Sequence, residues 1–118
     1  MASTGRILFS NGQVVTSSGT TSTNSATLQP NWQRFILYVD VTAFTGTNIT
    51  ATLQHSADGT NYIDWGAPAA FTATGRKILD ENSVTPARAN LLPYVRVNYT
   101  GTLTSVTVTA ALYYDPVK

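Results

Sequence analysis

Over much of the chain apolar and polar residues alternate with a period of two, the pattern of strands with one buried and one wet face. Between Arg34 and Val41, Phe35, Leu37, Val39 and Val41 fall on one side, and Arg34, Ile36, Tyr38 and Asp40 on the other. Ile49, Ala51 and Leu53 alternate with Thr50, Thr52 and Gln54. This run ends at Asp58-Gly59, a dipeptide suited to the positive φ angles of a hairpin, and the return strand is predicted to be short, from Tyr62 to Trp65. Val95, Val97 and Tyr99 alternate with Tyr94, Arg96 and Asn98. After a turn near Gly101, Val106, Val108, Ala110 and Leu112 alternate with Ser105, Thr107, Thr109 and Ala111, so these last two segments are predicted to pair as a second hairpin.

The flanking regions are less regular. Ile7 to Phe9 and Gln13 to Thr16 flank Asn11-Gly12, which predicts an early hairpin, and Ser17 to Thr27 is a Ser/Thr/Gly/Asn tract with almost no apolar content. Residues 1–30 therefore read as an arm with a first hairpin, ordered by a partner or laid on as an edge strand with Asn24, Ala26 and Leu28 inward. Residues 31–118 read as the main β domain. Between Gly66 and Pro93 the sequence offers Phe71 to Thr74, a turn at Gly75, the run Lys77 to Leu79 and a loop through Pro86, with at most one short helical turn near Ala87 to Leu91. Seven or eight short strands separated by Gly, Asn and Asp turns predict an all-β fold, an antiparallel β-sandwich or jelly roll.

Composition narrows the function. The 118 residues suit one domain, and only 11% of them are charged, less than half of the usual ~25% in soluble domains, so threonine and serine must do the solubilising. A net charge of +1, from singly scattered side chains, gives no cationic stripe for nucleic acid and little repulsion between copies of the chain. With no cysteine there is no disulfide, thiolate metal site or cysteine nucleophile. The run Ile7, Leu8, Phe9 is too short for an export signal or a bilayer span, so no membrane partner is expected.

No reaction is legible. His55 adjoins Ser56, but neighbours on a strand point to opposite faces, which forbids proton transfer between them. Asp58, Asn61 and Asp64 are spaced loosely for calcium and read better as a hairpin turn, and adjacent Asp80 and Glu81 do not make a glycosidase pair. Catalytic, metal and cofactor sites are accordingly expected to be absent. The aromatic residues Trp32, Trp65, Tyr38, Tyr62, Tyr94, Tyr99, Tyr113 and Tyr114 offer a stacking platform, although Tyr99 and Trp65 fit better in the core. Ile36 and Tyr38 lie on the side of their strand that an isolated sandwich leaves wet, which marks an interface. The interface candidates are thus Ile7, Leu8, Phe9, Ile36, Tyr38 and Tyr94.

The stretch Asn24 to Leu112, through NSATL, RFILYVDVTAFTGTNITATLQHSADGTNYIDW and LPYVRVNYTGTLTSVTVTAAL, is similar to a group of small bacteriophage proteins encoded among head and tail genes. That resemblance implies a virion structural protein of the capsid decoration (cement) type. Such a protein binds the major capsid protein on the exterior of the head, bridges its subunits, and is often a homotrimer. The LQHSADG and YVRV elements also resemble discoidin-type carbohydrate-binding jelly rolls. The alternatives are therefore a glycan-binding tail or fibre adhesin module and a tail-tube or head-completion subunit. None of these requires chemistry.

Overall fold

The computed structural model describes residues 5–16, 19–23, 25–28, 32–65, 68–80 and 91–116. Ten strands follow one another: β1 (Gly5–Val15), β2 (Gly19–Ser22), β3 (Ala26–Thr27), β4 (Trp32–Gly46), β5 (Ile49–Ser56), β6 (Ile63–Asp64), β7 (Ala69–Phe71), β8 (Gly75–Asp80), β9 (Tyr94–Gly101) and β10 (Leu103–Pro116). They form two antiparallel sheets, one four-stranded in the order β1-β10-β4-β8 and one six-stranded in the order β2-β9-β5-β6, with β3 also on β9 and β7 on β5. The predicted all-β sandwich is therefore present, and no helix occurs among the described residues.

The core lies between the sheets, where the period-two pattern places it. Phe35, Leu37, Val39 and Val41 of β4 and Val106, Val108, Ala110 and Leu112 of β10 face Ile49, Ala51 and Leu53 of β5 and Val95, Val97 and Tyr99 of β9, and all are buried. Trp65 and Tyr99 are the largest fully buried side chains. Burying one large apolar side chain contributes about 1.5–3 kcal/mol, so these four central strands dominate the favourable side of folding.

The predicted second hairpin is corrected. β9 and β10 lie in different sheets, and so do β4 and β5: β4 pairs with β10 (Leu37↔Leu112, Val39↔Ala110), while β5 pairs with β9 (Leu53↔Val97, Ala51↔Tyr99). Alternation reveals which side of a strand is buried but not which strand lies beside it, and consecutive strands on opposite layers give the same pattern as a hairpin. The two passages between layers adjoin each other. The amides of Thr47 and Asn48 donate to the Thr102 carbonyl at 2.8 and 3.0 Å, and the Thr102 amide donates to Asn48 Oδ1 at 3.0 Å. Each passage begins at a glycine with φ near +146°, Gly46 and Gly101.

The early hairpin at Asn11-Gly12 is also corrected. β1 continues past it, with Ile7 opposite Leu112 and Val15 opposite Val106 on the same partner strand, and accommodates the extra residues as bulges between Leu8 and Gln13. Ser10 turns inward there. Its hydroxyl donates to Gln13 Oε1 at 2.7 Å and lies 2.8 Å from the buried Tyr99 hydroxyl. Within the tract read as an arm, β2 and β3 pair with β9, and Leu28 is buried. Of the helical turn expected near Ala87 to Leu91 only Leu91 is described, in neither helix nor strand, and the loop at Pro86 and the positions Asn24 and Glu81 lie outside the described residues.

Candidate functional site

The outer face of the four-stranded sheet is built by register. Cross-strand pairs align Leu8, Ala111, Tyr38 and Ile78 in one row across all four strands, and Arg6, Tyr113, Ile36 and Asp80 in the next. Side chains at these positions alternate with the core-facing ones, so the face is set by the same pleat that buries Leu37 and Leu112. Ile78 is 63% exposed, Val14 55%, Leu8 41% and Ile36 40%. Ala111, at 2%, forms the floor between Leu8 and Tyr38. A face of this kind is normally wet and polar, and exposed large apolar side chains gathered on it, as Leu8, Ile36 and Ile78 are in two adjacent rows, mark an interaction site. The face also carries charge: Arg6 is exposed in the second row, and Arg76 Nε lies 3.5 Å from Asp40 Oδ1 in an exposed pair that contributes little to stability.

The predicted interface residues divide. Leu8, Ile36 and Tyr38 share this face, the last half-buried beside Ala111. Ile7 and Phe9, expected to act with Leu8 as one docking trio, instead pack against the core, because β1 is a sheet strand and alternation sends them inward. Tyr94 belongs to the other sheet, with its ring against Gly59. Sequence reading missed Ile78 and Ala111. The signal was available in the alternation of Arg76 and Ile78 with Lys77 and Leu79, but a six-residue strand next to irregular loops gives it little length.

The outer face of the six-stranded sheet is different in character. Gln54 pairs across to Asp64 on one side and Arg96 on the other. Arg96 Nε donates to Gln54 Oε1, and Gln54 Nε2 donates to Asp64 Oδ1, both at 2.9 Å. The Arg96 guanidinium lies over the Tyr62 ring, 4.0 Å from its centroid, and the Tyr62 hydroxyl bonds Ser25 Oγ. Beside this row Ser22 Oγ donates to Asn98 Oδ1 at 2.9 Å.

The residues considered for chemistry have structural partners. His55 is buried on the core side, and its Nδ1 accepts the Leu92 amide at 3.0 Å. Ser56 faces the other way and donates to Asp58 Oδ1 at 2.9 Å. Asp58 also accepts the amides of Thr60 and Asn61 and the Asn61 side-chain amide, and these hydrogen bonds hold its carboxyl well below the usual carboxylate range. Asp64 is engaged with Gln54, so Asp58, Asn61 and Asp64 organise a turn and do not converge as ligands. The turn is wider than the tight hairpin expected at Asp58-Gly59, since β5 ends at Ser56 and β6 begins at Ile63.

No protein-family model matches the chain, and no curated protein matches it. Among solved structures it is similar to a chain of the infectious bursal disease virus Gx strain, with a TM-score of 0.60 and 16% identity over 98% of this chain and 32% of that one. The likeness is one of fold. The protein spans about a third of that viral chain. A CBM4 chain is also similar, with a TM-score of 0.45 and 11% identity over 96% of this chain and 70% of that one.

Proposed function

We propose that the protein is a structural component of a virus particle, a decoration protein that binds the exterior of a phage head and ties neighbouring major capsid subunits together. The observation that carries this reading is the exposed apolar face through Leu8, Ile36 and Ile78, a surface made for contact on a chain with little charge to resist crowding. The fold shared with a virus chain and the resemblance to phage head and tail proteins support the same assignment. The protein acts by binding energy alone. Several weak contacts per oligomer add through avidity, and every bound copy shifts the balance towards the assembled shell by mass action. The test adds purified protein to heads assembled without it. Density on the shell exterior by electron cryomicroscopy and raised resistance to heat are expected; density confined to the tail, or no binding, would reject the assignment.

A second reading, a glycan-binding tail or fibre module, has one observation in its favour: the row of Asp64, Gln54 and Arg96 with Tyr62 offers planar hydrogen-bonding groups beside an aromatic ring. It requires a sugar that raises the melting temperature of the wild type but not of Gln54→Ala.

A further inference from the structure

We infer that the corner where the chain passes from β7 to β8 is a binding site for a carboxylate, the anionic end of a molecule whose short carbon stem lies against Phe71. β7 belongs to the six-stranded sheet and β8 to the four-stranded one, so residues 72–74 cross between the layers at the edge of the sandwich. The crossing borders an open cavity of about 210 Å³, whose lining includes Phe71, Thr72, Thr74, Arg76 and Lys77. Pockets that bury a whole small molecule hold about 300–1,000 Å³, so this one takes an end group. Arg76 and Lys77 are the one pair of adjacent cations in the sequence. Neighbours on a strand point to opposite faces, which ordinarily separates such a pair, yet at the start of β8 both reach the cavity. Lys77 folds back across the edge, its ammonium 5.3 Å from the Phe71 ring centroid and donating to the Ala70 carbonyl, while the Arg76 side chain, 73% exposed, stands at the outer rim.

Donors and net charge define the ligand. Asp40, the register partner of Arg76 on β4, approaches only Nε, at 3.5 Å, which leaves the four N–H groups at the end of the guanidinium outside that contact. Lys77 gives one of its three donors to Ala70. Among the described residues nothing engages the amides or hydroxyls of Thr72 and Thr74, or the amide of Ala73 between them. Two cations against the Asp40 carboxylate leave a single positive charge, which a monoanion neutralises and a phosphate dianion exceeds. The planar fork of Arg76 matches the two oxygens of a carboxylate, and Phe71 gives a carbon stem an apolar wall on which a fully hydrated ion would lose its water without return. The site does not depend on the virion reading, because it is built from one corner of the sandwich and not from the apolar rows of Leu8, Ile36 and Ile78.

Propionate is the probe. Added to the isotope-labelled full chain at constant ionic strength, it should shift the NMR signals of Thr72, Ala73, Thr74, Arg76 and Lys77 along one saturable curve, whereas chloride should not and phosphate should do so more weakly. Arg76→Gln should weaken binding about tenfold or more, the loss expected with a hydrogen bond to a charged group, and leave the circular dichroism spectrum unchanged. Asp40→Asn removes the competing carboxylate and should strengthen binding. Arg6→Gln makes the same charge change on β1, at the opposite edge of the sheet, and should leave binding as it is. Shifts that do not saturate, equal shifts with chloride (an adventitious ion only), tighter binding of phosphate, or equal weakening by Arg76→Gln and Arg6→Gln would overturn the site. Head binding then assigns the source of the carboxylate: if Arg76→Gln and added propionate both weaken it, the group is an acidic side chain of the shell, and if neither does, it belongs to a small molecule. A wild-type chain that takes propionate and ignores heads rejects the virion reading alone.

Discussion

Substituting Gly101 by alanine tests the idea that the adjoining passages between layers hold the sandwich together. A φ of +146° is a region that side chains avoid, and occupying it costs about 1–3 kcal/mol. The added Cβ would also strike Asn48, colliding with its carbonyl oxygen and coming within 2.7 Å of Oδ1 and 3.0 Å of the carbonyl carbon. Asn48 cannot yield cheaply, because its Oδ1 accepts the Thr102 amide and its own amide donates to the Thr102 carbonyl. Losing one such hydrogen bond costs about 1 kcal/mol, so strain and disruption together cost about 3 kcal/mol, a large share of the ~5–15 kcal/mol that holds a domain folded. Urea unfolding, followed by circular dichroism, should show the unfolding free energy fall by that amount, as a lower midpoint with little change in slope. Gly46→Ala should behave similarly, since its Cβ would meet Leu103 Cα at 2.5 Å, and the double variant should lose less than the sum because both glycines bear on one corner. Gly75→Ala is the control: nothing lies within 4 Å of a Cβ there. A loss below about 1 kcal/mol in Gly101→Ala, or an equal loss in the control, would refute the reasoning.

Three further outcomes follow from the packing and the buried polar groups. Burial pushes the Tyr99 hydroxyl up to about 12 from its ordinary 10.0; the folded state therefore favours the protonated form, and its stabilisation is intact below pH 10 and lost as pH rises from 10 to 12. Urea midpoints at pH 9 to 11.5 should fall accordingly, and Tyr99→Phe should flatten the slope while costing about 1 kcal/mol at neutral pH. The Asp58 carboxyl is depressed, so its contribution is present above the ordinary 3.8 and lost as pH falls below it; carboxyl titration by NMR should find it still ionised well below that ordinary value, and Asp58→Ala should lower the melting temperature. Leu37→Ala, at a site with 0% exposure, should cost about 2–5 kcal/mol in urea unfolding, and Leu8→Ala at the outer face less than about 1 kcal/mol at concentrations where the chain is monomeric.

What the sequence revealed was the side of each strand, and what it concealed was the neighbour. Phe35 to Val41, Ile49 to Leu53, Val95 to Tyr99 and Val106 to Leu112 each point to the core as alternation requires. Their pairing is decided by the corners at Gly46 to Asn48 and Gly101 to Leu103, where the chain changes layer through backbone hydrogen bonds between residues more than fifty apart in sequence. Asn11-Gly12 misled for a related reason: the dipeptide tolerates left-handed backbone, and a bulge uses that tolerance as readily as a turn does. The candidate face was legible where a strand was long. Ile36 and Tyr38 stood out on β4, but Leu8, Ala111 and Ile78 come from other strands, and only register brings them into one row with Tyr38.

Association through the sheet edges is a competing route for a low-charge β protein, and the two edges of the four-stranded sheet argue against it. An open edge invites another strand unless it is short, charged or bulged. β1 is long, but its bulges between Leu8 and Gln13 interrupt the ladder that a straight partner strand would need, and Ser10 at the bulge is committed inward to Tyr99. β8 has six residues and carries Arg76 and Lys77, the latter drawn back over Phe71 with its ammonium donating to the Ala70 carbonyl at 2.5 Å. The edges are therefore guarded against pairing that would extend the sheet further with each copy. Removing the guard should expose the difference. A variant that deletes Asn11 and Gly12 to straighten β1 should form larger, concentration-dependent species in sedimentation velocity, with thioflavin binding that the wild type lacks. A straightened β1 that leaves the size distribution unchanged would mean that the bulges serve only the Ser10–Tyr99 contact and that edge pairing is prevented by something else.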